Sequence, residues 1–242
     1  MIGVILAAGD GTRLNHTAGE DCCKALKQIR GAYLIEYSLN NLIALGIPEA
    51  CIVVGKQAEQ IRKAVGNSYK GMKVSYAIQK QQKGLMNAFV QALDTVGDRD
   101  VLLQLADEIF VGLRKQDILT WITEAEQEFC CGITYEEDRE RIKSNYSVET
   151  DEAGFLQNCI EKPAAVTDNR KGTGLCIFRR GALQVLREIY DDVGNTPREL
   201  CDYMRALLDR DKKGSAVQVA EKEYNINTVS DLAEFLTEHP DA

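Results

Sequence analysis

Residues 1–14 read MIGVILAAGDGTRL, an apolar run that passes directly into a polar loop containing glycines. Ile2 to Ala8 is short and continuously apolar, as is typical of a strand buried on both faces of a parallel sheet. Glycines after such a strand let backbone N–H groups approach a polyanion, because no Cβ stands in the way. Arg13 offers a fork for two phosphate oxygens, and Lys24 adds a compact positive charge. The stretch therefore predicts a phosphate-binding loop at the end of a buried strand.

Two better-known glycine loops do not fit this stretch. A dinucleotide-binding fingerprint requires a third glycine three residues after Gly11, where this chain has Leu14. A Walker A loop requires Gly-Lys-Ser or Gly-Lys-Thr, whereas this chain has Gly-Thr-Arg. The two glycines alone would also fit an ordinary turn between a strand and a helix.

The pattern after the loop alternates between strands and helices. Apolar runs predict strands at 50–54, 74–78 and 101–105, and helical spacing predicts helices at 33–45, 58–65 and 85–93. Short links between alternating elements are typical of right-handed βαβ units. We therefore predict an α/β fold, with a Rossmann-like, mostly parallel central sheet flanked by helices. Ligands of such sheets bind beyond the carboxyl ends of the strands, where both the glycine loop and Asp107 are predicted to lie.

From about residue 129 the pattern changes. Strands are predicted at 130–135, 146–149, 155–161, 174–178 and 216–220, with helices at 181–190 and 197–210. This order predicts a mixed or antiparallel extension of the sheet. No linker rich in Gly, Ser or Pro interrupts the chain, so we expect one domain over 1–242, with working halves of about 1–115 and about 116–242.

Composition excludes several classes of protein. The 242 residues carry a net charge of -8 and a pI of about 5.0, which disfavours nucleic acids and anionic membranes as partners. No apolar run approaches the ~20 residues of a membrane span, and the N-terminus lacks a basic leader, so we expect a cytoplasmic protein. The eight cysteines form no C-x-x-C pair and are expected to be reduced structural thiols. Two histidines are too few for most histidine-based mechanisms.

The run from Leu6 to Leu14, followed by Lys24, is similar to the opening of the sugar-1-phosphate nucleotidyltransferase family, which includes glucose-1-phosphate thymidylyl- and uridylyltransferases. Further elements resemble those of the family in the same order along most of the chain: Gln79 with Lys83-Gly84-Leu85, Leu105-Ala106-Asp107, Glu161-Lys162-Pro163, Thr173-Gly174-Leu175 and Asn225-Ile226-Asn227-Thr228. The resemblance implies a nucleotide-diphospho-sugar transferase-like fold. It also implies an enzyme that joins a nucleoside triphosphate to a sugar 1-phosphate and releases pyrophosphate.

The resemblance also implies roles for individual residues. It makes the first half of the chain nucleotide-binding and the second half acceptor-binding. Asp107 and Asn227 would bind Mg²⁺, and Arg13, Lys24 and Asp107 would be catalytic. The remaining binding residues implied are Ala7, Ala8, Gly9, Gly11 and Thr12 for the triphosphate, Gln79 and Gly84 for the base, and Glu161, Lys162, Thr173 and Gly174 for the acceptor.

Three positions depart from the family pattern. Cys23 stands where most relatives have proline, Asn227 where the closing metal ligand is usually aspartate, and Ser147 where many relatives have glycine near the sugar. The last difference leaves the acceptor undetermined. Asn227 also has a local alternative, because asparagine is a good cap for a helix starting near Ser230.

Other functions remain open at this point. The opening loop is shared with cytidylyltransferases that act on phosphocholine or on another small phosphorylated or phosphonate acceptor. A catalytically silent, nucleotide-binding regulatory subunit is a second alternative. Among the bases, the resemblance favours UTP or dTTP. The sequence leaves open whether the chain forms a homo-oligomer.

Overall fold

The computed structural model describes residues 1–9, 23–192 and 199–240. In the first half of the chain, strands and helices alternate. The strands are β1 (Ile2–Ala7), β2 (Gln28–Ile29), β3 (Ala32–Tyr33), β4 (Glu49–Val54), β5 (Ser68–Tyr69), β6 (Met72–Ile78) and β7 (Val101–Leu105). The helices are α1 (Leu34–Ala44), α2 (Ala58–Val65) and α3 (Leu85–Val96).

In the second half, strands predominate before the helices return. The strands are β8 (Glu108–Val111), β9 (Phe129–Tyr135), β10 (Tyr146–Thr150), β11 (Leu156–Glu161), β12 (Arg170–Phe178), β13 (Gly214–Gln218) and β14 (Lys222–Asn225). The helices are α4 (Lys115–Glu124), α5 (Arg139–Ser144), α6 (Arg180–Asp192), α7 (Leu200–Leu208) and α8 (Val229–Glu238).

One large sheet organises these elements. Its order is β11-β10-β12-β7-β1-β4-β6-β5, with β9 beside β12 and β13 beside β9. Strands β7, β1, β4 and β6 are parallel, whereas β12 is antiparallel to β7, β9 and β10. The predicted α/β fold, a mostly parallel sheet with an antiparallel extension, is confirmed.

Apolar side chains from β1 enter both faces of the sheet. Leu6 packs into a core with Phe89 of α3, and Ile5 packs into a second core with Leu39 of α1. This two-sided burial is why β1 is continuously apolar instead of alternating. It also fixes β1 in the centre of the sheet, between β4 and β7.

A smaller ribbon lies beside the main sheet. Strand β8 follows β7 after a two-residue turn and pairs antiparallel with β14, so that Glu108 lies opposite Asn225. The ribbon packs on α1 and α8 through a third apolar cluster that contains Ile109, Tyr224 and Phe235. It brings the end of the chain back to the turn after β7. No helix in the described ranges is long and apolar enough to cross a bilayer.

Candidate active site

Three side chains from distant parts of the sequence meet beyond the carboxyl end of β7. The Lys24 ammonium donates to Asp107 Oδ2 at 2.5 Å and to Asn227 Oδ1 at 2.8 Å. Their exposure is low, with 11% of the Lys24 side chain and 27% of the Asp107 side chain accessible. We call Lys24, Asp107 and Asn227 the ring. Lys24, a cation from the first part of the chain, therefore contacts the Asp107 carboxylate as the sequence predicts.

Local structure explains why the ring forms. Asp107 occupies the turn between β7 and β8, and Asn227 follows β14, the partner of β8. The backbone N–H of Ile226 donates to the Asp107 carbonyl at 2.9 Å, which fixes the two segments together. Lys24 opens a short 3₁₀ turn after the buried Cys23.

Asn227 does not cap α8. The cap is Thr228, whose hydroxyl accepts from the Asp231 backbone N–H at 3.2 Å. The Asp231 carboxylate accepts in return from the backbone N–H groups of Thr228 and Asn227, at 2.6 and 2.8 Å. Because Asp231 and Thr228 satisfy the helix start, the Asn227 side chain is left to contact Lys24 and Asn225.

A cavity of about 350 Å³ opens beside the ring. Because it is lined by Gln79 and Gly84, which the resemblance implies for the base, we call it the nucleotide cavity. Asp107 lies at its edge and Leu6, Leu85, Ala88 and Leu105 form its apolar wall. The remaining lining residues are Ala8, Gly9, Gln79, Gln82 and Gly84. An apolar slot with a few polar groups is typical of a small-molecule site.

Gln79 and Gly84 form one unit of the cavity wall. The Gln79 side-chain nitrogen donates to the Gly84 carbonyl at 3.1 Å and to Asn87 Oδ1 at 2.9 Å. Gly84 has a φ of 89°, a backbone conformation that favours glycine, and it precedes α3. The side-chain oxygen of Gln79 makes no hydrogen bond within the described part of the chain, so it can accept from a ligand.

The opening loop is described only as far as Gly9. The buried Ala7 lies in the core on the opposite side of β1 from Ala8, which lines the cavity. Gly11, Thr12 and Arg13 lie outside the described residues.

The predicted acceptor residues lie on the antiparallel side of the sheet. The Lys162 backbone N–H donates to the Asn145 carbonyl at 2.7 Å, and φ of Lys162 is 44°. The ammonium of Lys162 lies 3.6 Å from Glu161, and the side chain is well exposed. The ammonium is therefore accessible to an anionic ligand. The pKa of Glu161 is raised, chiefly because the carboxyl is partly buried and secondly because the Glu199 carboxylate is nearby.

Thr173 and Gly174 lie in the irregular middle of β12. The Thr173 hydroxyl donates to the Gly132 carbonyl at 3.0 Å. The Gly174 N–H donates to both carboxylate oxygens of Glu108, at 2.9 Å each. A Cβ at Gly174 would lie 2.3 Å from Leu105 Cγ and 2.8 Å from Glu108 Oε2, so only glycine allows this approach.

Gly174→Ala is expected to destabilise the protein by about 1–3 kcal/mol, because Leu105 and Glu108 must move to make room. The change is measured as a lower midpoint of urea unfolding. The matched control is Gly181→Ala in α6, where the nearest atom to a new Cβ is the flexible Glu128 carboxylate at 3.3 Å. Equal midpoints for the two variants would contradict the close approach at Gly174.

Sequence reasoning did not single out several charged residues near the site. Glu108 and Glu223 are buried on the β8–β14 ribbon, and Lys171 is buried on β12. Burial, with the Glu223 and Asp107 carboxylates nearby, raises the pKa of Glu108 well above its ordinary value. The available signal was a charged residue that directly precedes a run of apolar or small residues within one strand, as Lys171 precedes GTGLCIF.

The ring fits a magnesium ion by the chemistry of its oxygens. One carboxylate oxygen and one amide oxygen already converge on a single cation, the Lys24 ammonium. Mg²⁺ commonly takes one or two protein oxygens and completes its octahedron with water and substrate phosphates. Within the described ranges, no three side chains of His, Cys, Asp or Glu gather as a closed metal cage.

Known proteins are similar to this chain in sequence and in fold. The UTP–glucose-1-phosphate uridylyltransferase AglF of Haloferax volcanii is 32% identical over 179 residues, which cover 74% of this chain and 72% of AglF. The nucleotidyltransferase Agl11 of the same organism is longer; at 27% identity, the match covers 86% of this chain and 57% of Agl11.

Among solved structures, a UDP-glucose pyrophosphorylase complexed with UDP-glucose superposes with a TM-score of 0.84 at 21% identity, covering 99% of this chain and 98% of the other. An inositol-1-phosphate CTP transferase from T. maritima gives 0.80 at 18% identity, covering 98% and 93%. At these identities the structures establish the fold. Residues 2–236 match the pattern of the nucleotidyl transferase family, and the chain therefore belongs to that family.

Proposed function

We propose that this enzyme transfers a nucleotidyl group from UTP or dTTP to a sugar 1-phosphate in a Mg²⁺-dependent reaction that releases pyrophosphate. The observation that carries the proposal is the ring of Lys24, Asp107 and Asn227 at the edge of the nucleotide cavity. This arrangement places a cation and two oxygen ligands where a triphosphate bound beyond β1 and β7 would lie. The similarity to AglF, a UTP–glucose-1-phosphate uridylyltransferase, supports the same choice of substrates.

The reaction needs positioning more than acid–base chemistry. An oxygen of the acceptor phosphate forms a bond to the α-phosphorus, and the bond from that phosphorus to the bridging oxygen of the β-phosphate breaks. The attacking oxygen is already anionic at neutral pH, so no general base is needed. The protein must hold two anions in line and neutralise the charge that moves to the leaving pyrophosphate.

The chain supplies cations for each anion. Lys24, which contacts Asp107, would neutralise the α-phosphoryl group, and the exposed Lys162 would bind the acceptor phosphate. Arg13 is assigned to the leaving pyrophosphate on the sequence pattern. Asp107 and Asn227 would hold Mg²⁺, which when bound offsets phosphate charge. Glu161 would accept hydrogen bonds from sugar hydroxyls.

The Gln79 side chain supports uracil or thymine as the base. Its nitrogen is occupied by Gly84 and Asn87, which leaves the oxygen as the acceptor for a base N–H. Uracil and thymine carry an N–H at position 3, whereas the same ring position of cytosine is an acceptor. The matched contact therefore favours UTP and dTTP over CTP.

A matrix of nucleotides against acceptors tests the proposed function. UTP, dTTP, CTP and GTP are each combined with glucose 1-phosphate, N-acetylglucosamine 1-phosphate and phosphocholine, and pyrophosphate release is recorded. We expect the fastest release with UTP or dTTP and a sugar 1-phosphate. Fastest release with CTP and phosphocholine would replace this function by the cytidylyltransferase alternative. No release with any pair would favour a silent regulatory subunit.

Lys162→Ala is expected to raise the acceptor KM by about tenfold or more, because the contact between the Lys162 ammonium and the acceptor phosphate is lost. The triphosphate KM should change little, since Lys162 lies on the antiparallel side of the sheet. Steady-state kinetics with each substrate varied in turn measures both constants. The control is Lys143→Ala, which removes an exposed lysine of α5. An effect confined to the triphosphate KM would exchange the roles of the two halves.

A further inference from the structure

The side chain of Gln79, the proposed contact to the base, is held by hydrogen bonds that lead away from the nucleotide cavity. Gln79 Nε2 donates to Asn87 Oδ1 at 2.9 Å, and Asn87 Nδ2 donates to the Tyr190 hydroxyl. Asn87 lies in the first turn of α3, and Tyr190 lies near the end of α6. We call Gln79, Asn87 and Tyr190 the amide relay.

Burial makes the orientation of the two amides in the relay important. Gln79 and Asn87 are each only 7% exposed, so water cannot readily replace a hydrogen bond that either side chain loses. A buried amide that is turned the wrong way leaves a polar atom without a partner, which costs free energy. Gln79 lines the nucleotide cavity and Asn87 does not. Asn87 would therefore act on a bound base through Gln79.

Gly84 sets the direction of each hydrogen bond in the relay. Its backbone carbonyl can only accept, so the Gln79 atom that lies 3.1 Å away must be the amide nitrogen. The same nitrogen faces Asn87, which must present its oxygen there and its own nitrogen to Tyr190. A hydroxyl can accept as well as donate, so Tyr190 satisfies that nitrogen. The amide oxygen of Gln79 is thereby left for a ligand.

A reversed Gln79 amide would be opposed at two points. Its oxygen would face the Gly84 carbonyl and Asn87 Oδ1, and each contact would bring two acceptors together. If Asn87 lost its amide, Gly84 alone would oppose the reversal. The Gln79 nitrogen could then be presented to the base, where it suits the acceptor at ring position 3 of cytosine.

We propose that Asn87 and Tyr190 are positioning residues that hold the Gln79 oxygen toward the base and thereby set the preference for uracil or thymine over cytosine. This inference rests on the proposed function, because it takes Gln79 as the contact to the base. It also gives Tyr190, which belongs to the half of the chain predicted to bind the acceptor, a part in the choice of nucleotide.

Binding of UTP and of CTP tests this inference without turnover. Calorimetry measures both Kd values with Mg²⁺ present and sugar phosphate absent, and the ratio of the CTP Kd to the UTP Kd is compared among variants. We expect a ratio of about tenfold or more in wild type, since the wrong base leaves a buried polar atom unpaired. Asn87→Leu keeps the approximate size of the side chain but removes both of its hydrogen bonds, and it should lower the ratio by about fivefold.

Two further variants separate hydrogen bonding from packing. Asn87→Asp keeps an acceptor for Gln79 and offers its second oxygen to the Tyr190 hydroxyl, which then donates, so this variant should retain the wild-type ratio. Tyr190→Phe leaves the Asn87 nitrogen without its acceptor and should lower the ratio by about two- to threefold. The matched control is Gln91→Leu, because Gln91 bonds to the backbone carbonyl of Asn87 and not to its amide. Thermal unfolding identifies which variants fold.

The outcomes distinguish this inference from the proposed function. A folded Asn87→Leu variant with the wild-type ratio would overturn the inference, and so would an equal loss in Asn87→Asp, since packing and not hydrogen bonding would then matter. If Asn87→Leu does not fold, a lowered ratio in Tyr190→Phe supports the relay and an unchanged ratio overturns it. Wild type that binds CTP as tightly as UTP would also overturn it. If the ratios change as expected but no triphosphate gives pyrophosphate, the relay holds and the proposed transfer fails.

Discussion

Asp107→Asn is expected to lower Mg²⁺-dependent pyrophosphate release by on the order of 100-fold, comparable to removing a placed transition-state contact. Asparagine keeps the size of the side chain and its oxygen, but it removes the negative charge that attracts a divalent cation. The remaining ligand, Asn227, is also neutral, so no charged ligand of the ring remains. The pair with Lys24 is partly exposed, so its loss should change the free energy of unfolding by only about 1 kcal/mol.

The measurement is kcat as a function of Mg²⁺ concentration. We expect the variant to need much more Mg²⁺ and to remain slow at saturation. Asp117→Asn is the matched control, since Asp117 pairs with Arg114 at the surface and does not line the nucleotide cavity. If Asp107→Asn had the kcat and the Mg²⁺ dependence of wild type, the assignment of Asp107 as a Mg²⁺ ligand would be refuted.

Lys24→Met is expected to lower kcat by about 10²–10³-fold, because it removes the cation placed at the α-phosphoryl group. The ammonium also bonds to both Asp107 and Asn227, so its loss removes the contact that joins them. Lys24→Arg should recover little activity, since a planar guanidinium cannot reproduce a compact ammonium between two oxygens.

Single-turnover kinetics with saturating substrates separates slower chemistry from weaker binding. Lys63→Met, at an exposed lysine of α2, serves as the control. If Lys24→Met altered only the triphosphate KM, Lys24 would bind the ground state without assisting transfer. Full activity in Lys24→Arg would show that the reaction needs a positive charge at position 24 but not the compact shape of an ammonium group.

The parallel core of the fold could be predicted because its pattern is local. Strands β1, β4 and β7 are short apolar runs followed by turns, and helices α2 and α3 have a clear apolar stripe. Burial on both faces produces such runs in the sequence itself. The position of Asp107 at the end of β7 followed from the same pattern.

The β8–β14 ribbon was not predicted, because its pairing is not local. Its strands have four residues each, and Glu108 pairs with Asn225 across more than a hundred intervening residues. From the sequence alone, Asn227 could therefore be either a metal ligand or a helix cap. The structure separates these roles, since Thr228 and Asp231 form the cap.

The buried ion pair of Lys171 and Glu223 was missed for a different reason. Glu223 and Lys171 contradict the hydrophobic pattern of a core, and each is acceptable there only because the other is present. A pattern read along one segment cannot show a partner that lies 52 residues away. Sequence resemblance did single out Glu161, Lys162, Thr173 and Gly174, which lie on the antiparallel side of the sheet and stay predicted acceptor residues.

The proposed role of the ring is to direct attack of an acceptor phosphate on the α-phosphorus. Its most direct test follows labelled UTP in the presence of Mg²⁺ and glucose 1-phosphate. We expect an α-³²P label to appear in a UDP-sugar and a γ-³²P label to appear in pyrophosphate, in equal amounts. With Asp107→Asn, both products should form far more slowly. Release of the γ-label as inorganic phosphate, with no label transferred to the sugar phosphate, would contradict it.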